Sequence, residues 1–263
     1  MLVAGGGRGI GTAIAMVLVE EGADVAIASR TQTELETTAG EIECALKRKV
    51  ASVVFDVTDR EQVDKGISQA AEILDGLHIL VNSASLPAGS PSAVGPINTV
   101  DEAALLKDFD VKYNGALRCA RASIPFMKKA RWGRIINISG GNGRKAGNLS
   151  GGARNVSLVH LTKTLSNELG KYGITVNCIH PGVTRTERTK RVLEHRSKLE
   201  HIKPEEIERQ DFLPGSALGN AICRMIDAQE IGFLAAYLAS DKSWAVTGEV
   251  IAAGGGNGDY VYY

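Results

Sequence analysis

One stretch decides the fold: Met1-Leu2-Val3-Ala4-Gly5-Gly6-Gly7-Arg8-Gly9-Ile10-Gly11, in which a short apolar segment runs into a glycine-rich turn. From Ile10 to Leu18, apolar residues recur at spacings of three and four, which predicts an amphipathic helix. Glycine permits positive φ and the close approach of a ligand, and the free N–H groups at a helix N-terminus favour a phosphate. Strand, glycine turn and helix together predict dinucleotide binding, although such turns also occur without a ligand.

Composition and charge argue against several classes of function. The 263 residues carry 30 basic and 30 acidic side chains, which argues against a nucleic-acid or membrane-surface partner that relies on bulk charge. The four cysteines form no Cys-x-x-Cys pair and no metal-ligand cluster, so we expect reduced thiols, no metal and a cytoplasmic protein. No signal peptide is recognisable, and no apolar run is long enough to span a bilayer.

Apolar, strand-like runs alternate with helical segments throughout the chain. Strands are predicted at residues 1–4, 25–28, 50–55, 79–81, 134–138, 174–179 and 246–251, and later helices at 33–49, 60–74, 101–129, 156–170 and 229–240. This alternation predicts an α/β fold with a Rossmann-like, doubly wound parallel sheet, in a single domain over 1–263. We interpret the charged segment 185–227 as a substrate lid. The first strand is short for a buried parallel strand, which suggests that residues precede Met1.

The end of the second predicted strand indicates which dinucleotide binds. It lies about 20 residues beyond the glycine turn, where an acidic residue would select NAD(H) through the adenosine ribose. This chain has Ser29 and Arg30 there, which suit a 2′-phosphate, and Arg8 adds a second positive charge. We therefore predict NADP(H) rather than NAD(H). The alternative is that both arginines are solvated surface charges.

Over nearly its whole length the chain resembles the short-chain dehydrogenase/reductase family. The matching stretches are Gly5 to Gly11, with glycine at 5, 9 and 11, Asp56-Val57-Thr58, Asn82-Ser83-Ala84, Arg134 to Ser139, Leu161-Thr162-Lys163, Gly173 to Asn177, Pro181-Gly182 with Thr186, and Val246-Thr247-Gly248. The resemblance implies an oxidoreductase acting on a small carbonyl, hydroxyl or activated alkene substrate. It also implies a homotetramer or homodimer.

The resemblance also implies a set of cofactor-binding residues. They are Gly5, Arg8, Gly9, Ile10, Gly11, Ser29, Arg30, Asp56, Val57, Asn82, Ala84, Asn155, Pro181, Gly182, Val183 and Thr186. By resemblance, Asp56 would face the adenine amino group, although a turn or helix-capping role fits it equally well. Thr186 would lie near the nicotinamide amide.

The expected catalytic residues are replaced in this chain. The family uses a Tyr, a Lys four residues later, a Ser and an Asn. Aligned on neighbouring motifs, these positions fall on Gly151, Asn155, Gly140 and Lys112, with Ser139 one residue before the Ser position. No shift of alignment restores the Tyr, because none lies between Tyr113 and Tyr172.

We therefore predict a non-standard proton donor and take Lys112, Ser139 and Asn155 as the catalytic candidates. A desolvated Lys112 could act as acid or base, or pair with an acidic substrate group, whereas a solvated Lys112 would do neither. Arg154 or Asn155 could hold the cofactor ribose or simply begin a helix, and His180 could be a packed strand-end residue. Two other functions stay open: a non-redox lyase or isomerase, and a non-catalytic NADP(H)-binding sensor.

Overall fold

The computed structural model describes residues 1–86 and 89–257. Over these residues the strands are β1 (Leu2–Ala4), β2 (Val25–Ser29), β3 (Val50–Val54), β4 (Ile79–Asn82), β5 (Gly133–Ile138), β6 (Ile174–Pro181), β7 (Thr184–Arg185), β8 (Ile226–Asp227) and β9 (Val250–Ala253). The α-helices are α1 (Gly9–Glu20), α2 (Gln32–Leu46), α3 (Arg60–Ile73), α4 (Glu102–Phe109), α5 (Gly115–Ala130), α6 (Leu149–Leu169), α7 (Glu187–Glu200), α8 (Pro204–Asp211) and α9 (Ala228–Ala239).

Seven strands form one parallel sheet in the order β3-β2-β1-β4-β5-β6-β9, and β7 pairs separately with β8. The predicted doubly wound parallel sheet is confirmed. The strand order reverses between β1 and β4, where such sheets open a crevice at their carboxyl ends. Ala4 pairs with both Ala28 and Asn82, and Asn82 pairs with Asn137, so the ends of these strands lie level at that crevice.

Hydrophobic helices cover both faces of the sheet. Along β1, Leu2 and Ala4 pack in the core beneath α3, α5 and α6, whereas Val3 packs in the core beneath α1, α2 and α9. Successive strand residues point to opposite faces, so a strand buried on both sides is apolar at every position. This explains the uninterrupted apolar runs of the sequence.

The glycine turn adopts a backbone that other residues tolerate poorly. Gly5 and Gly9 have φ angles of 86° and 62°, in the left-handed region that favours glycine. The Gly5 N–H donates to the Ala28 carbonyl at 2.8 Å, and the Thr12 hydroxyl donates to the Gly6 carbonyl at 3.0 Å. These bonds hold the turn against β2 and direct the N-terminus of α1 toward the crevice.

The predicted continuous helix over 101–129 is wrong in one important detail. It is divided by a π-helical segment, Asp110–Asn114, that joins α4 to α5. Gly115 follows it, and a Cβ there would lie 2.9 Å from the Val57 side chain. Long-range packing of this kind is invisible to periodicity, and π segments are frequent at functional sites. Lys112 lies in this segment.

Among the other predicted boundaries, two differ by several residues for a reason that the structure shows. Helix α6 begins at Leu149 rather than at 156, because the Asn148 side chain accepts from the Gly151 N–H and caps it. Strand β9 covers 250–253 rather than 246–251, since Thr247 and Gly248 bond instead to the Val176 backbone. The segment 185–227 contains α7 and α8.

Among the described residues, no helix combines the length and apolar character needed to cross a lipid bilayer.

Candidate active site

A cavity of about 890 Å³ lies at the carboxyl ends of the central strands. The residues predicted to bind cofactor or to take part in catalysis line it, with the exceptions of Gly11 and Asn82. Gly11 lies in the first turn of α1, where it packs against Gly5. The Asn82 amide donates to the Asn137 side chain at 2.9 Å, and Asn137 donates to the Thr162 hydroxyl at 2.9 Å. This buried chain ties β4 to β5 and α6 beneath the cavity.

Two arginines lie at the glycine-turn end of the cavity. Arg8 is 3.8 Å from the Glu34 carboxylate and Arg30 is 3.6 Å from the Asp56 carboxylate. Both arginine side chains are about half exposed, at 49% and 55%. These pairs are long and solvated, so they leave both guanidinium groups able to turn toward a ligand.

Asp56 combines a turn role with an ion pair. One of its oxygens accepts from the Thr58 N–H at 2.9 Å and from the Thr58 hydroxyl at 2.8 Å. Its second oxygen faces Arg30. Ser29 likewise closes a local turn, because its hydroxyl accepts from the Thr31 N–H at 3.2 Å. Both side chains therefore hold the rim of the cavity in shape.

Glu187 reaches the glycine turn from the other side of the cavity. Its carboxylate accepts from the Gly9 N–H at 3.1 Å, at the N-terminus of α1. Thr186, one residue earlier, packs its methyl group 3.7 Å from the position of a Cβ on Gly9. The helix N-terminus thus already holds an anion, in keeping with its positive dipole end. Sequence reasoning missed this contact, because nothing local links residues 178 positions apart.

Lys112 is buried in the cavity wall, with 6% of its surface exposed. Its Nζ donates to the Ser139 carbonyl at 3.0 Å. Burial and the nearby charge of Arg154 lower the pKa of this lysine from 10.5 to about 7. The solvated helix-surface interpretation of Lys112 is therefore wrong, because the π-helical segment places the ammonium against β5. A lysine with this pKa can release or take up a proton near neutral pH.

Ser139 and Asn155 lie together between β5 and α6. The Ser139 hydroxyl donates to the Asn155 carbonyl at 3.0 Å. The Asn155 side-chain oxygen is buried and has no hydrogen-bond partner among the described residues. A Cβ on Gly140 would lie 2.9 Å from the Asn155 amide nitrogen, so the glycine makes room for that amide. Asn155 therefore offers an unsatisfied acceptor beside the cavity.

Arg154 and His180 complete the inner end of the cavity, and both are at least 95% buried. Arg154 donates to the Leu86 carbonyl at 3.0 Å, and its Nε has no partner among the described residues. Neither ring nitrogen of His180 has a partner in that same part of the chain. Burial and the charges of Arg144 and Lys112 lower the pKa of His180 to about 4. The imidazole is therefore neutral at physiological pH.

Asp108 is a buried residue that sequence reasoning missed, and it fixes the wall beside Arg154. Its carboxylate accepts from the Ser90 N–H at 2.9 Å, and from the hydroxyls of Ser90 and Ser150 at 2.6 Å each. Burial acts to raise the pKa of Asp108, but the hydrogen bonds from Ser150 and Ser90 outweigh it and hold the pKa below its ordinary value. Asp108 thereby connects α4 to the loop at Ser90 and to the start of α6.

We expect Asp108→Asn to lower the free energy of unfolding by about 1.5 to 3 kcal/mol at pH 7. An amide would place N–H groups against the donors that the carboxylate now accepts. Because the folded-state pKa is depressed, the stability from Asp108 is present above its ordinary pKa and is lost as pH falls through the folded-state value. Urea unfolding measures the change, with Asp101→Asn as the control, because asparagine also caps a helix. Equal stability of the two variants would contradict this role.

The residues that line the cavity fit a nicotinamide dinucleotide. The glycine turn lets a ligand reach the backbone, Asn155 has an unsatisfied acceptor, and Arg8 and Arg30 are free to meet a phosphate. The inner end holds Lys112, whose pKa is near neutrality. A phosphate-binding end and a proton-transfer end thus share one cavity.

Comparisons with known proteins agree with this geometry. The family model described as short chain dehydrogenase matches residues 1–197. NADPH-dependent reductase BacG of Bacillus subtilis (strain 168) is 32% identical over 261 residues, covering 97% of this chain and 96% of that protein. The solved structure of YwfH, an NADPH dependent reductase involved in bacilysin biosynthesis, has a TM-score of 0.84 at 27% identity and covers 99% of this chain and 98% of that one. A variant of actinorhodin polyketide ketoreductase, solved with NADPH, has a TM-score of 0.85 at 27% identity. That match covers 98% of this chain and 97% of the ketoreductase chain.

Proposed function

The chain belongs to the short-chain dehydrogenase family, and on that premise we propose that it is an NADP(H)-dependent oxidoreductase acting on a small carbonyl, hydroxyl or activated alkene substrate. One observation carries the proposal: the glycine turn and the buried Lys112 line the same cavity. The names of the relatives do not favour a lyase, an isomerase or a non-catalytic sensor, because they are reductases.

The cofactor would be held by the residues that line the outer end of the cavity. Arg8 and Arg30 would meet the 2′-phosphate, the Asn155 oxygen would accept from a ribose hydroxyl, and Thr186 would lie beside the nicotinamide. When bound in its reduced form, the cofactor supplies a hydride to the substrate carbon. The pyrophosphate would meet the N-terminus of α1 and compete there with the Glu187 carboxylate.

Lys112 would supply the proton in place of the usual Tyr. In the reductive direction the C=O π bond breaks as the carbon gains the hydride, and the oxygen takes a proton from the Lys112 ammonium. The amine left on Lys112 then takes a proton from water. Ser139 would act as a positioning residue, because its carbonyl accepts from Lys112 while its hydroxyl donates to the Asn155 backbone. Gly151, at the aligned Tyr position, has no group that could transfer a proton.

The segment 185–227 would act as a lid over this cavity. The Arg196 guanidinium in α7 donates to the Asp211 carboxylate in α8 at 2.5 Å. Arg185 forms ion pairs with Glu208 and Asp227. The first pair would hold α7 and α8 together, and the pairs of Arg185 would connect α8 to β7 and β8. The homotetramer or homodimer implied by the family stays a prediction.

Titration with NADPH and with NADH, followed by nicotinamide fluorescence, tests the proposal directly. We expect NADPH to bind tightly and NADH weakly, and NADPH to be oxidised by at least one member of a panel of ketones, aldehydes and enones. Failure of both nucleotides to bind would exclude an oxidoreductase function. Binding without turnover of any panel member would favour the sensor.

We expect Arg30→Ser to weaken NADPH binding by about 10- to 100-fold, the effect of losing a charged hydrogen bond to the 2′-phosphate. NADH has no such phosphate, so its dissociation constant should not change. Arg60→Ser is the matched control, because Arg60 is an exposed arginine on α3 that does not line the cavity. If Arg30→Ser weakened both nucleotides equally, Arg30 would not distinguish between them.

A further inference from the structure

The inner end of the cavity concentrates positive charge. Lys112 and Arg154 are buried in its wall, and the exposed Lys145 also lines the cavity. Burial and the charges of Arg144 and Lys112 lower the pKa of His180. The acidic residues that line the cavity, as far as the structure describes it, each have a partner elsewhere: Glu34 pairs with Arg8, Asp56 with Arg30, Glu187 with the Gly9 N–H, and Asp211 with Arg196. None of these four acidic residues is paired with Lys112 or Arg154 among the described residues.

Arg154 is buried without an ion pair among the described residues. It is 5% exposed, and within residues 1–86 and 89–257 no carboxylate oxygen lies within 4.0 Å of it. Asp108 is near enough to interact with its charge, but that carboxylate already accepts from Ser90 and Ser150. Arg154 itself donates to Leu86, and its buried Nε has no described partner.

Two buried cations that face each other are costly unless an anion joins them. Burial and the nearby charge of Arg154 both act to lower the pKa of Lys112, as expected for two like charges in a buried site. A planar guanidinium binds carboxylate or phosphate oxygens in pairs, so it selects an anion by geometry as well as charge.

We infer that the inner end of the cavity binds an anionic group of the substrate, a carboxylate or a phosphate, with Arg154 as its anchor. The inference rests on the proposed function, because it names the class of substrate for the same site. Arg154 holds the anion and Lys112 delivers the proton, so the two cations have separate tasks. The substrate is then an acidic carbonyl or alkene compound, and neutral ketones bind poorly.

The test compares ligands that share a benzyl group and differ in charge, on the full-length chain. Isothermal titration calorimetry measures the binding of phenylacetate, benzylphosphonate and phenylacetamide to the wild-type protein, with and without NADPH. We expect at least one of the two anions to bind about tenfold or more tightly than the amide. The tighter of the two anions identifies the substrate's acidic group. Equal binding of the anions and the amide would overturn the inference, and this comparison requires no variant.

Variants then assign the preference to Arg154. Arg154→Gln should abolish the discrimination between acid and amide, whereas Arg121→Gln, an exposed arginine on α5, should retain it. Retained discrimination in Arg154→Gln would overturn the anchor role. If the glutamine variant does not fold, Arg154→Met replaces it, because methionine also removes the charge and keeps a long side chain, and the same two outcomes apply. NADPH titration of the wild-type protein separates the two proposals. A wild-type protein that binds no NADPH counts against the oxidoreductase, whereas one that binds NADPH but shows no preference for the acids counts against the anion site alone.

Discussion

Replacing Lys112 with Met should lower the turnover number for NADPH-driven reduction by about 10²- to 10⁴-fold, the usual contribution of a positioned proton donor. The dissociation constant for NADPH should stay within about twofold, because the lysine acts on the substrate rather than on the nucleotide. Methionine preserves the length and much of the volume of the side chain, so the cavity wall is kept. Steady-state kinetics and fluorescence titration measure the two quantities.

The pH profile provides an independent readout of the same residue. Burial and Arg154 lower the pKa of Lys112 to about 7, so the donor is protonated below that pH and deprotonated above it. In the reductive direction kcat/KM should be constant at acid pH and fall about tenfold per pH unit above about 7. His180, with a pKa of about 4, is already neutral across this range and does not contribute. Lys112→Arg should lose turnover as Lys112→Met does, because a guanidinium keeps its proton.

The matched control is Lys107→Met, which changes an exposed lysine in the last turn of α4. It should keep wild-type turnover and the wild-type pH profile. Full turnover in Lys112→Met would exclude the lysine as proton donor and leave the source of the proton to another group. A loss of NADPH binding in the same variant would point instead to damage of the cavity.

Gly11→Ala should destabilise the protein by about 3 kcal/mol or more, the upper end of the range for overpacked interiors. A Cβ at this position would overlap the Gly5 carbonyl oxygen and lie 2.8 Å from the Gly5 carbonyl carbon. Neither atom can move aside, because Gly5 is hydrogen-bonded to Ala28 and lies at the end of β1. The close approach of α1 to the glycine turn therefore requires glycine.

Thermal unfolding measures this effect as a fall in Tm of about 6 to 12 °C. Gly40→Ala provides the control, since Gly40 is exposed in α2 and a Cβ there meets nothing within 4 Å. That substitution should stabilise the protein by about 0.5 to 1 kcal/mol, because alanine favours the helix. Wild-type stability in Gly11→Ala would mean that α1 and the turn are farther apart than the structure shows.

Several features of this protein could be predicted from local sequence. The alternation of apolar runs predicted the parallel sheet, because strands buried on both faces must be apolar throughout. The glycines at 5, 9 and 11 predicted the turn, because only glycine suits positive φ and a helix packed this closely. In a parallel sheet all strand ends face one edge, so the predicted site residues could be expected to meet there.

Other features depended on contacts between distant parts of the chain. Periodicity predicted an unbroken helix and left open whether Lys112 is solvated. The structure instead has a π-helical segment next to Val57, and the Lys112 ammonium is buried against the Ser139 carbonyl at the end of β5. The bond between Glu187 and Gly9 joins residues 178 positions apart. Propensity and spacing report only on neighbours within a few residues. Burial, charge compensation and pKa are set by whatever the fold brings alongside, so the tertiary structure alone decided the chemistry of the inner cavity.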